Sequence, residues 1–546
     1  MKKVSLLIAS AVFSLGVINA QNQMDAYKFA KNDLTGTARS VSMGGAFGAL
    51  GGDISGIAIN PAGIGLYNSS EIVTTLNFQN SQSKTELGKW SMDESKFKVN
   101  FDNLAFVATF PLYNDVAPNL SVGFSYNRLK NFNRKYSMRG DNVRSLTDYM
   151  ADRASANGVP GGSLGIPEGD GMWDVWNHED WLSVLGYNSG LIVDRGGADF
   201  ISSTRFRNNV NDGLPAYNDL FVEEKGSIST YDFNIGTMFS DVISAGLTVS
   251  MTDINYRMSS RYTEDFLDLA GSTEYWGGYD LYNSIRTDGT GWQVKAGLIF
   301  KPIRELNIGI AYHSPTWYKM TDYFWADVNH NLKDLVDPDN SNLFIPSDYQ
   351  DGIVQSYDGR EDAVLDYEMR TPDKWTFSAA GMIGGKLIAS VDYELTNYGN
   401  MKLYDRNGNN FDYDPNSSIK ANFRSSSAVR VGLEYPVTKQ FSMRAGYSWV
   451  QSPFKTDVKD VINPDVNNGE YVEMTTDGRS ITQFSIDGDT HYVTWGLGYR
   501  FTRNIYTDIA FIYRTQKDDL YAFSGANKAI MKNNNFQGLM TLGYRF

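Results

Sequence analysis

The stretch Val493-Thr494-Trp495-Gly496-Leu497-Gly498-Tyr499-Arg500-Phe501 places a large apolar residue at every second position and a small or polar residue between. A period of two is that of a β-strand whose two faces meet different surroundings. The same alternation occurs at 120–126 and 429–435. The face opposite the apolar one is too polar for the core of a soluble sandwich. The pattern therefore indicates strands that face lipid on one side and a wet lumen on the other.

Fourteen segments of the chain follow this pattern, and an even number of strands is typical of bacterial outer-membrane barrels. The predicted strands are 70–80, 97–112, 119–136, 226–240, 242–262, 286–302, 305–325, 363–383, 386–405, 418–436, 440–455, 490–502, 504–517 and 534–546. Short connections alternate with long polar ones, of which the longest are 137–225, 263–285, 326–362 and 456–489. The sequence thus predicts an all-β fold, a 14-stranded antiparallel transmembrane barrel with long extracellular loops.

Composition excludes several classes of protein. The 546 residues include no cysteine and only four histidines, so disulfide scaffolds, thiolate catalysis and cysteine-ligated metals are ruled out. The formal net charge is -14 and no basic stripe exists, which argues against nucleic acid as a partner. An aromatic content of 14% is high for a chain with a mean hydropathy of -0.36, and lipid-facing strand ends explain it.

Both ends of the chain resemble targeting signals. Residues 1–20 combine two lysines, an apolar run and a terminal Ala20, the layout of a secretory signal peptide. At the other end, Met540, Leu542, Tyr544 and Phe546 share one face of the last predicted strand. A terminal aromatic residue after such a strand resembles the signal read by the outer-membrane barrel assembly machinery. We therefore expect export, assembly by that machinery through Phe546, and residence in the cell outer membrane with the lipid bilayer as a partner.

The segment between the signal peptide and the first strand is rich in glycine and alanine and poor in charge. It is too apolar for a flexible linker and too glycine-rich for a long helix, so it suits a plug packed inside the lumen. We expect a plug at 21–68 and a barrel at 69–546 that carries the long extracellular insertion 137–225. The motifs that stand out here are Thr37-Ala38-Arg39, Gly44-Gly45-Ala46-Phe47, Asp53 and Asn60-Pro61-Ala62-Gly63.

These motifs, in this order, resemble the N-terminal hatch of the outer-membrane long-chain fatty-acid transporter family, the FadL family. Later stretches resemble the late barrel strands of that family: Ala311 to Pro315, Pro372 to Trp375, Val391 to Tyr393 and Val429 to Tyr447. The resemblance implies a monomeric barrel for hydrophobic compounds such as long-chain fatty acids. Outer loops would capture the ligand, a hatch would gate the lumen, and a gap beside a kinked third strand would release the ligand sideways.

The resemblance assigns roles to particular residues. It implies hatch and gating roles for Gly45, Asp53, Asn60, Pro61, Ala62 and Gly63, and a third-strand kink at Tyr126, Asn127 and Arg128. The apolar face of 119–136 does break after Tyr126, although a strand that leaves the bilayer there would show the same break. Transport of hydrophobic compounds also predicts a lumen lined by apolar side chains between the hatch and the third strand.

The insertion 137–225 leaves two interpretations open. Its apolar residues Trp173, Trp176, Trp181, Leu182 and Leu185 form a surface that collects ligand, or they form the core of a long loop. An alternative function is also open. In that case the protein is a surface binding or adhesion protein, including one that binds haem, the barrel is only its anchor, and function lies in residues 137–225.

Motifs for catalysis and for metal binding are incomplete in this sequence. Gly161-Gly162-Ser163-Leu164-Gly165 matches the G-x-S-x-G nucleophile motif but lacks the hydrophobic strand that must precede it, so an enzyme is not predicted. Asp337 to Asn342 lacks the glycine and glutamate positions of a calcium loop. No cofactor and no metal site are predicted, because the four histidines share no ligand spacing: His178, His313, His330 and His491.

Overall fold

The computed structural model describes residues 22–112, 114, 116–141, 144–165, 175, 179–207, 217–267, 275–332, 335–336, 344–345, 350–354, 363–411, 415–455 and 481–546. Its barrel strands, several of them in two segments, are β1 Glu71–Leu87, β2 Trp90–Pro111, β3 Asn119–Asn131 with Arg134–Gly140, β4 Tyr217–Phe239, β5 Ile243–Leu267, β6 Tyr275–Ile303, β7 Leu306–His313 with Trp317–His330, β8 Ala363–Arg370 with Lys374–Ile383, β9 Leu387–Asn397 with Lys402–Asp405, β10 Ser425–Pro436, β11 Phe441–Val450, β12 Phe484–Ile486 with Thr490–Arg500, β13 Ile505–Tyr521 and β14 Ala529–Arg545.

The strands form one closed antiparallel sheet. Each strand pairs with the next along the chain, and β1 pairs with β14 from Glu71↔Arg545 to Glu86↔Ile530. Closure removes the unpaired edges that an open sheet would expose. The predicted 14-stranded antiparallel barrel is therefore confirmed.

Alternation along each strand separates an outward apolar row from an inward polar one. On β12, Trp495 is 41% exposed whereas its neighbour Thr494 is 2% exposed. The outward residues predicted for this strand are all exposed: Val493, Trp495, Leu497, Tyr499 and Phe501. Outward aromatic residues occur at the end of the strand, as at Tyr499, and also at its middle, as at Trp495. An outward row of large apolar and aromatic residues is typical of a lipid-facing surface.

The connections define two ends of the barrel. Short turns link the strands at one end, which we call the turn end; at Gly384-Gly385 both φ angles are positive (60° and 68°), as a two-residue hairpin turn requires. Long connections lie at the other end, the loop end. Here the strands run further than the sequence indicates: β1 and β2 meet in a tight hairpin at 88–89. The predicted start of the tenth strand at 418 is wrong, because Pro415–Asn422 is helical.

Helices occur in two places. The N-terminal helices are α1 Gln23–Ala30, α2 Ala38–Ser42, α3 Ile54–Ile59 and the 3-10 turn Pro61–Leu66; those at the loop end are α4 Leu146–Asn157, α5 Gly161–Leu164, α6 Trp181–Asn188, α7 Ser203–Arg207, the 3-10 turn Tyr398–Asn400 and α8 Pro415–Asn422. Short hairpin strands occur there too: Ile192–Asp194, Phe200–Ser202, Leu335–Val336, Phe344–Ile345 and Gln350–Val354. None of the helices in the described ranges has the length and apolarity needed to cross a membrane.

A charge in the outward row should destabilise the barrel. We expect Leu497→Arg to lower the free energy of unfolding in lipid vesicles by up to about 2–4 kcal/mol, the cost of arginine near the bilayer midplane of such barrels. Guanidinium titration measures the loss, and Leu497→Val serves as the control of similar backbone preference. Equal stability of the arginine and valine variants would mean that this row does not contact lipid.

Candidate functional site

The N-terminal segment, residues 22–67, is a series of short helices joined by glycine turns. Asn22 caps α1, because its Oδ1 accepts backbone N–H groups of the first turn at 2.8 and 3.1 Å. Asp53 caps α3 in the same way, at 2.9 Å. Gly44 and Gly45 have φ values of 66° and 73°, where other residues are strained. The chain therefore turns after α2 instead of extending it.

This segment lies inside the ring of strands. Inward side chains of β5, β7, β9, β12 and β14 bond to its backbone: Ser244 Oγ to Ala62 O at 2.6 Å, Asn307 Nδ2 to Ala49 O at 2.9 Å, Asp392 Oδ2 from Phe47 N at 3.0 Å, Thr494 Oγ1 from Gly44 N at 3.0 Å and Thr541 Oγ1 from Ala38 N at 2.7 Å. Because these strands are spread around the barrel, the segment crosses the lumen and fills it at this level.

Asn60 organises the corner at Asn60-Pro61-Ala62-Gly63. Its Oδ1 accepts the N–H of Ala62 at 3.1 Å and starts a 3-10 turn in which Pro61 takes the first position. Its Nδ2 donates to Gly48 O at 2.6 Å and to Leu298 O on β6 at 3.3 Å. One buried amide thus ties two parts of the segment to the barrel wall.

The other hatch residues predicted from the sequence support the same arrangement. Asp53 accepts from Thr37 Oγ1 at 2.8 Å, so the caps of α2 and α3 hold each other. Burial raises the pKa of the Asp53 carboxyl above its usual value. Gly63 lies against Gly51, where an added Cβ would be 3.4 Å from a backbone carbon, and Gly45 faces Leu34.

Inward-facing glycines of the wall form niches for this segment. A Cβ on Gly246 would lie 2.1 Å from Pro61 O, and one on Gly446 would lie 2.2 Å from Gly44 N. Close contacts of the same kind involve Gly297 with Asn60, Gly309 with Gly48, Gly432 with Met43 and Gly496 with Ser42. From the sequence, small inward residues of this kind predict the lining of a wet lumen. In the structure these glycines, recognisable by their period-two spacing, permit close contact with the N-terminal segment.

Charged side chains hold α2 to the wall near the turn end. Arg39 Nε lies 3.0 Å from Glu434 Oε2 on β10. Arg444 on β11 approaches the same carboxylate at 3.1 Å and Asp508 on β13 at 2.5 Å. The network is buried, so removing one partner would leave a charge without compensation.

Backbone pairing between the second and third strands ends at Asn127. Pairing of β2 with β3 runs from Pro111↔Asn119 to Asn103↔Asn127, whereas β2 continues to pair with β1 as far as Trp90. Beyond this point β3 pairs with β4, with an irregularity between Arg128 and Lys130. Asn127 accepts from Asn103 Nδ2 at 2.6 Å and donates to Asp232 on β4 at 3.0 Å.

Beyond Asn127, β3 bends toward the lumen. Asn131 Nδ2 donates to Gln79 on β1 at 2.6 Å, so this part of β3 passes inside β2. Lys130 Nζ donates to Lys28 O at 2.6 Å, and Asp33 N donates to Leu129 O at 2.9 Å. The bend therefore rests on the first part of the N-terminal segment.

The three residues at the departure point face different surroundings. Tyr126 stacks on Phe101 with ring centroids 5.9 Å apart, on the outer side. Arg128 donates to the carbonyl of Phe101 at 3.2 Å and lies 3.4 Å from Asp102. Asn127 is directed inward. Neither Arg128 nor Lys130 is directed into lipid, which explains why the apolar row ends after Tyr126.

Two cavities flank residues 27–36 of the N-terminal segment. The outer cavity, about 130 Å³, lies between α1, the bend of β3 and the inner faces of β1, β13 and β14. The inner cavity, about 190 Å³, extends from Asn127 and Leu129 toward β6 to β12. Tyr27, Lys31 and Asp33 contribute to both. The apolar lining predicted from the sequence is found only in part, because both walls carry amides and paired charges beside their aromatic and aliphatic side chains.

The described part of the insertion 137–225 folds around a core of its own. Trp181, Leu182 and Leu185 are at most 4% exposed, and the Trp181 ring lies 5.1 Å from Phe324 on β7. They belong to the large apolar cluster at the loop end, so they present no collecting surface to solvent. Trp173 and Trp176 lie outside the described residues.

The residues considered for catalysis or metal binding lie in separate parts of the structure. Ser163 is exposed on the four-residue helix α5, which follows helix α4 and not a strand. His313 bonds to Ile59 O, His330 to Ser189 O and His491 to Tyr447, while His178 lies outside the described residues. Within the described ranges no three His, Asp or Glu side chains are arranged to hold a metal ion.

Filling one glycine niche tests the close packing of the segment. In Gly246→Ala the new Cβ meets backbone atoms of Pro61, which cannot rotate away. We therefore expect overpacking to lower the free energy of unfolding by about 1–3 kcal/mol. Gly538→Ala is the matched control, because its Cβ would have ordinary contacts at 3.8 Å. A cysteine at Ala62, in a chain without other cysteines, should react faster with a water-soluble maleimide in Gly246→Ala. Unchanged reactivity would contradict the niche.

Comparisons with known proteins agree with the fold. Residues 229–468 match the family model "Outer membrane protein transport protein (OMPP1/FadL/TodX)". A Pseudomonas aeruginosa FadL homologue aligns at 14% identity and a TM-score of 0.51, over 94% of this chain and 99% of its own. The Pseudomonas putida toluene transporter TodX aligns at 12% identity, with the same coverage of both chains and a TM-score of 0.44.

The Ralstonia pickettii toluene transporter TbuX also covers 94% of this chain and 99% of its own, at 12% identity and a TM-score of 0.43. No curated protein sequence matches this chain. The family model describes transport and not catalysis. The resemblance predicted from the N-terminal motifs is confirmed: over residues 229–468 in sequence, and over the barrel in fold, the chain resembles the OMPP1/FadL/TodX family of outer-membrane transport proteins.

Proposed function

We propose that this protein is an outer-membrane channel for the uptake of hydrophobic compounds, in which the N-terminal segment acts as the hatch. The observation that carries the proposal is the departure of β3 from β2 at Asn127, beside that segment. Beyond it the two strands are joined by side chains, such as Lys98 Nζ to Asn133 Oδ1 at 3.1 Å. Side-chain contacts are easier to part than a ladder of backbone hydrogen bonds.

Under this proposal, the two cavities mark the path that a ligand follows through the barrel. A compound captured at the loop end would enter the outer cavity, pass Tyr27 and Asp33 into the inner cavity, and leave sideways where Asn127 ends the β2–β3 pairing. Leaving into lipid is favourable because each buried methylene contributes about 0.8 kcal/mol. Long-chain fatty acids and monoaromatic compounds are the classes to test first, since the similar proteins are named a FadL homologue and toluene transporters.

The same proposal includes the processing of the chain. Residues 1–20 serve as the signal peptide, 21–68 as the hatch and 69–546 as the barrel, which works as a monomer. Phe546 is 58% exposed at the turn end, and its N–H donates to Ser70 O at 3.0 Å. That position leaves the ring accessible to the assembly machinery while the strand is anchored.

Uptake in cells tests the function directly. We expect cells that produce the protein to accumulate labelled long-chain fatty acid or toluene above the background of cells with an empty membrane. Haem is the comparison ligand for the alternative of a surface binding protein. Binding at the surface without uptake of any hydrophobic compound, at normal surface level, would favour that alternative and shift attention to residues 137–225.

A disulfide across the hatch and the bend of β3 should close the channel. Asp33 N and Leu129 O are 2.9 Å apart, which brings the two Cα atoms within disulfide range. We expect Asp33→Cys with Leu129→Cys to lose most uptake when oxidised and to regain it with reductant, because residues 22–36 can no longer move from β3. The chain has no other cysteine to react.

The matched control is a second disulfide, Ala38→Cys with Thr541→Cys, in the part of the hatch seated on glycine niches. Ala38 N and Thr541 Oγ1 are 2.7 Å apart. This bond should leave uptake unchanged. Full uptake through the oxidised 33–129 pair would contradict gating by residues 22–36.

A further inference from the structure

The outer cavity has the size of one ring. Its volume is about 130 Å³, close to the roughly 150 Å³ of an engineered protein cavity that binds benzene. It opens between α1 and the inward row of β1, β13 and β14. A chain-like ligand would therefore place one compact group here, and the chemistry of the walls determines which group fits.

Amide side chains dominate the wall opposite α1. Gln79, Asn131, Gln516, Asn535 and Gln537 all line the cavity. The Oδ1 atom of Asn535 is buried and lacks a hydrogen-bond partner among the described residues, and Asn535 is only 7% exposed. A buried acceptor without a partner costs about 1–3 kcal/mol. A ligand that donates a hydrogen bond at this point would recover that free energy.

The charges of the cavity compensate one another. Five cations and four carboxylates line it, and Asp518 lies directly behind Gln516 at 2.6 Å as a fifth carboxylate. Three pairs are in direct contact: Lys28 with Asp25, Lys31 with Asp487 and Arg134 with Glu224. Lys130 is bound to the carbonyl of Lys28. No net charge remains to favour an anionic or a cationic ligand group.

Aromatic rings supply the remaining surface. Tyr27, Phe132, Tyr136 and Phe484 line the cavity, and all four belong to the buried apolar cluster of the loop end. Ring faces pack against the C–H surface of a saturated ring, while amides both donate to and accept from hydroxyl groups. The combination matches a ring that is apolar on its faces and hydroxylated at its edge.

We infer that the outer cavity binds the uncharged, hydroxyl-bearing ring of an amphipathic compound whose apolar tail extends past Tyr27 toward the inner cavity. The inference rests on the proposed function, since it names the substrate class of the same channel. A plain hydrocarbon would leave the amides without partners, which is the condition under which sites built for hydroxyl groups reject analogues. A carboxylate head would find Lys28, Lys31 and Arg134 already paired and Lys130 bonded to a carbonyl. The Nε of Arg514 is the one cationic donor of the described lining without a partner, and the oxygen of an uncharged hydroxyl group can accept from it.

Three probes with chains of similar length distinguish the head groups: octyl glucoside, octanoate and octylbenzene. Octyl glucoside and octanoate are titrated below their micelle concentrations and octylbenzene below its solubility limit, against the full-length protein in phospholipid nanodiscs, with empty nanodiscs as the blank. We expect octyl glucoside to bind at least tenfold more tightly than either other probe. Tighter or equal binding of octanoate or octylbenzene overturns the inference.

Leucine in place of an amide tests the site itself. Asn535→Leu and Gln79→Leu should each weaken the binding of octyl glucoside about tenfold, the equivalent of roughly 1.4 kcal/mol. Neither substitution should weaken the binding of octylbenzene. Asn283→Leu is the matched control, because Asn283 is a buried lumen amide of β6 outside the cavity. Folding of each variant is checked by heat-modifiable migration on gels. Equal loss in all three variants overturns the assignment of the site.

The uptake assay separates the two proposals. Uptake of hydrophobic compounds without preference for octyl glucoside contradicts the inference and leaves the proposed function intact. Preferential binding of octyl glucoside without uptake of any compound contradicts the transport function and leaves a binding site for hydroxylated rings.

Discussion

The closure of the sheet through β1 and β14 is the constraint on which the rest of the structure depends. In hydrocarbon each backbone N–H and C=O must find a partner within the protein, and only a closed sheet provides one for every strand. The register from Glu71↔Arg545 to Glu86↔Ile530 provides it here. A closed ring of fourteen strands encloses a lumen wider than its own side chains can fill. The N-terminal segment occupies that space, and inward glycines such as Gly246 and Gly446 allow its backbone to approach the wall.

The departure of β3 is a local exception to that constraint, and side chains compensate for it. Where β2 loses its neighbour, the carbonyl of Phe101 accepts from the guanidinium of Arg128 at 3.2 and 3.3 Å. Just before the separation, the side-chain Nδ2 of Asn103 donates a further hydrogen bond to the carbonyl of Tyr126 at 3.3 Å. Polar residues within a strand that otherwise faces lipid are thus explained by unpaired backbone, a cause different from exposure to water.

Much of this architecture could be predicted from the sequence, because lipid imposes period two on every strand that crosses it. Outside the membrane that imposed alternation ends, and there the predictions fail: the sequence does not predict the tight β1–β2 hairpin, and it predicts strand from 418, where Pro415–Asn422 is helical. The corner at Asn60 was recognisable from its motif, but its contact with Leu298 joins residues 238 apart and leaves no local trace. The sequence does not predict the amides and charges of the cavity walls, for a related reason. A hydrophobic ligand predicts an apolar path, whereas the inward rows carry amides at the same period as the outward apolar residues.

The N-terminal segment is held in two physically different ways, and this bears on how a hatch could work. Residues 37–67 are seated in niches where backbone touches backbone, as at Gly246 and Pro61, so displacing them would break close packing over several strands. Residues 22–36 are held by individual hydrogen bonds, such as Lys130 Nζ to Lys28 O, which a ligand or water can replace, and by side-chain contacts of Tyr27 and Phe29 in the apolar cluster of the loop end. Under the proposed function, the first part yields and the Asn60 corner serves as its anchor. Because the same bonds support the bend of β3, movement of residues 22–36 would also loosen the strand that borders the exit.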